Sequence, residues 1–82
     1  MEKTESNVEN DPKILFGKRL AKIRKELGWS QEGLALESGI ARSYLSGIER
    51  GKRNIALINI CKLAVTLKIQ VKELVDIDLY LG

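Results

Sequence analysis

The 82-residue sequence has no histidine, one cysteine, one proline and one tryptophan, and only 5% of its residues are aromatic. A lone thiol, Cys61, makes an intrachain disulfide impossible. Without imidazole, a zinc site would have to be nearly all carboxylate, which zinc rarely accepts, so no metal is expected. The same lack removes the commonest general base. Ser43 and Ser46 have no base to activate them, and no pair of carboxylates suggests a cleft. An enzyme is therefore not expected, and no cofactor is implied. Nor is there an apolar run long enough to span a bilayer, or an N-terminal apolar stretch of the signal-peptide kind. A cytoplasmic protein without a membrane partner is the default expectation.

What is present is enough apolar material, 44% of the residues, for one small domain around a single core. The net charge of +3 is unevenly placed. Residues 1–12 carry Lys3 against Glu2, Glu5, Glu9 and Asp11, net −3. Residues 13–53 carry ten Lys/Arg against four Glu, net +6, and residues 54–82 carry three of each sign. The basic middle is where an anion-binding surface would lie. Residues 1–11 read as a flexible acidic tail, 12–76 as the folded domain, and 77–82 as an apolar C-terminal segment.

Asp11-Pro12 has the form of a helix start, with Asp as N-cap and Pro at the first helical position. Phe16, Leu20, Ile23 and Leu27 then recur at spacings of four, three and four on one helix face, and Gly28 ends it. Ser30 caps a second helix, Gln31 to Ser38, without the Glu or Gln three residues on that a capping box needs, since Gly33 stands there. Leu34, Ala35 and Ser38 face inward, Gly39 turns the chain and Ile40 plugs the turn into the core. A fourth helix, Ala56 to Leu67, has Leu57, Ile60, Cys61, Leu63, Ala64 and Leu67 on its apolar face, with Cys61 as a small core residue. Val71 to Val75 makes a short fifth helix with Leu74 inward.

The third helix, Ala41 to Arg50, differs in kind. At about 100° per residue, Arg42, Ser46, Arg50, Ser43 and Gly47 share an arc of roughly 140°. Tyr44, Ile48, Ala41 and Leu45 lie on the other side. One face anchors; the other offers guanidinium and hydroxyl donors of the kind that reach base edges and phosphates. The bland alternative is a solvated amphipathic face. Ala41 supplies no side-chain cap, and Gly47 on the presented face suggests close approach of a partner backbone. The short turn between the second and third helices is the spacing of a helix-turn-helix unit.

The motifs RLAKIRKELGWSQEGLA, SGIARSYLSGIERGKRN and ALINICKLAVTLKI, in that order, resemble the Cro/repressor-type (XRE) helix-turn-helix domains across roughly residues 16–75. Within that family, YLSGIERGKRNIALINI looks most like the controller proteins of restriction–modification systems. The resemblance implies an all-α, compact five-helix bundle of the lambda-repressor-like type. It implies a homodimeric, sequence-specific regulator of transcription bound to double-stranded DNA. By the same resemblance Arg42, Ser43, Tyr44 and Ser46 would meet bases, and Gln31, Arg50, Lys52, Arg53 and Asn54 phosphates. Arg24 and Glu49 would form an inward structural ion pair. The apolar end, Ile77, Leu79, Tyr80 and Leu81, reads as a subunit contact, with folding back onto its own core as the alternative. Ala41 and Ala56 depart from the family's usual caps, Ile55 from a common proline, and Gly47 from a frequent base-contacting side chain. The other functional reading is an antitoxin-type module that neutralises a protein partner and binds its own promoter.

Overall fold

Asp11 begins the first element as its side chain dictates: the carboxylate accepts the backbone N–H of Lys13 at 2.9 Å, and Pro12 follows at the first helical position. In the computed structural model, which describes residues 10–79, five α-helices follow and no strand is found among the described residues. They are α1 (Pro12–Glu26), α2 (Gln31–Ser38), α3 (Arg42–Glu49), α4 (Leu57–Leu67) and α5 (Val71–Leu74). No helix among the described residues is long and apolar enough to cross a membrane. The all-α expectation holds.

Four of these helices stop in the same way. A residue just past each end enters the left-handed region: Gly39 and Lys68 directly after α2 and α4, Gly28 and Gly51 one residue further on after α1 and α3. The next N–H then reaches back five residues: Trp29 to Arg24, Ile40 to Ala35, Lys52 to Gly47 and Ile69 to Ala64, all at 2.9–3.1 Å. Each bond satisfies a carbonyl that the helix end leaves without a partner. Each also turns the chain sharply, so that short helices fold onto one another.

The core takes Phe16, Leu20 and Ile23 from α1, Leu34 and Ala35 from α2, and Ile40 from the turn. Leu45 and Ile48 come from α3, Leu63, Ala64 and Leu67 from α4, and Leu74 from α5. Six of these side chains are wholly enclosed. Burying each stabilises the fold by about 1.5–3 kcal/mol before entropy is counted. α3 rests on α1 and α2, α4 on α2, and α5 closes the end between α1 and α4. Arg19 fastens that closure, donating to the Glu73 carbonyl at 2.9 Å beside Asp76.

Four expectations about the core need correction. Leu27 is exposed because it is already the C-cap of α1, where the chain leaves the helical path. Leu57 is 69% exposed because α4 encloses only Leu63, Ala64 and Leu67, so its first turn overhangs. Ala41 is exposed, standing just ahead of α3 rather than within it. Cys61 is only half-buried and lines a surface groove rather than the core.

Candidate nucleic-acid interface

α3 is seated by main chain as much as by side chains. Leu45 and Ile48 enter the core, and Tyr44 packs against its edge. Behind them α1 presents Gly17, where a Cβ would collide with the Ile48 carbonyl oxygen and lie 2.9 Å from that of Glu49. Only glycine lets the two helices cross this closely. The residue is buried and was not singled out from the sequence; its one signal was its position seven residues before Arg24, on the same face of α1.

The end of α3 is pinned by ion pairing. Arg24 Nε donates to Glu49 Oε2 at 2.6 Å and Arg24 Nη2 to Glu49 Oε1 at 3.0 Å, with side-chain exposures of 9% and 6%. Arg24 Nη1 also donates to the Trp29 carbonyl at 2.8 Å, and Gln31 Nε2 to Glu49 Oε1 at 2.8 Å. One cluster thus joins α1, the approach to α2, the first residue of α2 and the last residue of α3. Among the described residues no buried side-chain polar atom lacks a partner. The structure therefore brings Arg24 and Glu49 together and draws Gln31 in with them, so Gln31 is not a free surface amide.

The opposite side of α3 faces outward. Arg42 and Ser43 are exposed, Ser46 and Tyr44 half-buried, and Arg50 exposed with its Nε 3.4 Å from the Ser46 carbonyl. Lys52, Arg53 and Asn54 follow on an exposed loop. Gly47 is the exception. It is buried, because Arg53 folds across it: a Cβ there would lie 2.8 Å from Arg53 Cγ. The guanidinium of Arg53 stands 5.7 Å from the Tyr44 ring centroid, a cation–π distance. The space at Gly47 is thus filled from within the chain, and the close approach expected there is made by Arg53.

The local electrostatics of α3 run against its own stability. Arg42 sits at the positive end of the helix dipole, and Ala41 offers no side-chain cap. Glu49 sits at the negative end. Arg24 offsets the second conflict; among the described residues no acid pairs with Arg42 to offset the first. A cation placed where the helix disfavours it, next to two hydroxyls and three further cations, is a surface made for an anion. Among the described residues no three His, Cys, Asp or Glu side chains gather into a metal site.

Ile77 is half-buried and lines a pocket with Phe16, Ile55, Ile60 and Arg53. Leu79 is exposed, while Tyr80 and Leu81 lie outside the described residues.

Residues 20–74 match the helix-turn-helix family model HTH_3. Control protein C.MunI of a Mycoplasma species is 47% identical over 66 residues, covering 79% of this chain and 89% of that protein. The restriction-modification controller protein C.AhdI of Aeromonas hydrophila superposes with a TM-score of 0.74 at 52% identity, covering 76% of this chain and 94% of that one. The biofilm master regulator SinR, solved in complex with DNA, gives a TM-score of 0.71 at 39% identity, covering 74% and 98%. All three are named as control or regulator proteins. With this family match, these relatives and an exposed cationic helix face, the chain belongs to the HTH_3 helix-turn-helix family, as a DNA-binding transcription regulator of the controller type.

Proposed function

We propose that the protein acts as a homodimer on a palindromic operator, sets the level of its own transcription, and controls a restriction–modification operon. The carrying observation is the division of α3: Leu45 and Ile48 are enclosed, while Arg42, Ser43 and Ser46 look outward beside the cationic loop. In this reading the outer residues of α3 meet base edges in the major groove, with Tyr44 at the rim. Arg50, Lys52, Arg53 and Asn54 hold the flanking phosphates. Gln31 serves two partners, giving one amide hydrogen to Glu49 and the other to a phosphate. Two copies would place their α3 helices in successive grooves about 34–36 Å apart. The operon assignment is supported by what C.AhdI is, a restriction-modification controller.

Footprinting on DNA upstream of the protein's own gene tests this directly. Two symmetry-related protected half-sites at that spacing are expected. Arg42→Ala should lose about 1–3 kcal/mol on the specific duplex and little on random duplex. Equal loss on both would remove Arg42, and α3 with it, from base reading.

A further inference from the structure

A cavity of about 370 Å³ opens where the start of α1, the α3–α4 loop and the segment after α5 come together. Four apolar side chains wall it: Phe16, which is buried, and Ile55, Ile60 and Ile77, which are half-buried. Ile77 stands outside the core cluster, so a change there should not unfold the domain. The polar part of the lining carries an unbalanced charge. Lys13 and Asp11 pair with each other at 3.3 Å and cancel. Arg53 and Asn54, both exposed, remain. The Arg53 guanidinium meets the Tyr44 ring at 5.7 Å and no carboxylate among the described residues. The Asn54 amide makes no hydrogen bond among them either.

We propose that this cavity binds a small amphipathic carboxylate, an apolar body with one anionic head, and that the bound acid lowers affinity for DNA. The volume falls at the low end of small-molecule sites, roughly 300–1,000 Å³, which suits a single medium-length chain. The lining names the head. An uncharged apolar molecule would fill the walls but use neither polar group, and a cation would be repelled by Arg53. A carboxylate uses both, accepting two parallel N–H bonds from the guanidinium and one from the amide. The chain's own end is a weaker occupant, since Leu79 already stands exposed. Arg53 supplies the coupling. It lines the cavity and also lies across Gly47, on the helix proposed to meet DNA. One guanidinium cannot hold a ligand head and a phosphate together, so the two compete. This coupling rests on the phosphate role given to Arg53 above; the binding site does not.

Amide chemical-shift titration of the full chain with decanoate tests the site, with decanol and decylamine as neutral and cationic controls. Shifts should centre on Lys13, Phe16, Asn54, Ile60 and Ile77 and saturate with a dissociation constant below about 1 mM. Hexanoate, decanol and decylamine should each bind at least about tenfold more weakly. Ile77→Asp, which sets a like charge in the wall, should lose at least about tenfold while circular dichroism shows unchanged helix content. Decanol binding as tightly as decanoate, no saturable shift, or shifts centred on Ile58 and Val65 instead, overturns the site. Binding seen only after Tyr80→Ser with Leu81→Ser gives the cavity to the chain's own end and overturns it too. Fluorescence anisotropy on a random duplex, against equal acetate, reads the coupling. Saturating decanoate should weaken wild type about three- to tenfold and leave Arg53→Ala unaffected. Unchanged wild-type affinity, where Arg53→Ala itself binds the duplex more weakly, overturns the coupling. If Arg53→Ala binds the duplex as wild type does, the phosphate role and the coupling fail together and the site stands.

Discussion

Glu49 is a carboxylate at the C-terminal end of a helix, where the backbone dipole opposes it, and it is enclosed. It persists there because two nitrogens of Arg24 and one of Gln31 satisfy it. Removing one member strands the other as a buried charge, so Glu49→Ala should cost about 3–5 kcal/mol in urea denaturation. Replacing both, as Arg24→Met with Glu49→Leu, should cost less than the single change. If the two experiments give equal losses, the pair is not what holds the end of α3. Asp11 shows the exposed counterpart. The Lys13 backbone N–H holds its carboxyl below the ordinary value of 3.8, and the Lys13 ammonium adds to this. A lowered carboxyl stabilises the folded state fully above the unfolded value, and that contribution disappears as pH falls through the depressed one. Exchange of the Lys13 amide should therefore accelerate selectively in acid below about pH 4, while core amides still hold. The pairing of Arg24 with Glu49 was legible only through family likeness, since 25 residues separate them. The use of Gln31 in the same cluster was not legible at all, because a glutamine at a helix start suits a surface equally well.

At the scale of the helix, starts and stops were legible wherever the chain uses residues with a single local meaning. Asp-Pro marks a beginning, and Gly28 and Gly39 mark endings, because few other residues tolerate those backbone angles. Lys68 does the same work as those glycines at φ 60°, and nothing in a lysine announces it. Side chains there clash with the following carbonyl. Lys68→Gly should raise stability by roughly 1 kcal/mol, and Lys68→Val should lower it by at least as much. For a domain of this size that is a rise of about 4–8 °C in Tm by calorimetry. No gain would mean that the lysine makes up the strain elsewhere. Faces were legible where both sides of a helix had neighbours, and misread where a helix overhangs, as at Leu57, or has already ended, as at Leu27. Periodicity reports which residues share a side; it does not report how far the neighbouring element extends. The cover that Arg53 lays over Gly47 escaped for a related reason: it joins a loop to a helix, and no spacing rule links them.

For the whole molecule, the segregation of charge matters more than its modest total. The basic middle segment holds α3 and its loop, so phosphate contacts should dominate affinity and give it a steep dependence on salt. Lys52→Ala should weaken specific and random DNA alike and reduce the salt slope by about one, as read from fluorescence anisotropy between low and moderate salt. A loss confined to the specific site would move Lys52 from phosphate to base. The crossing at Gly17 has a consequence of its own. Because α1 meets the carbonyls of Ile48 and Glu49 directly, the alignment of α3 owes nothing to the groups at positions 42, 43 and 46. Those three can be exchanged wholesale without disturbing the scaffold, much as a typehead can be swapped on an unchanged machine, and a lineage built on this frame can move from one target to another by point substitution alone.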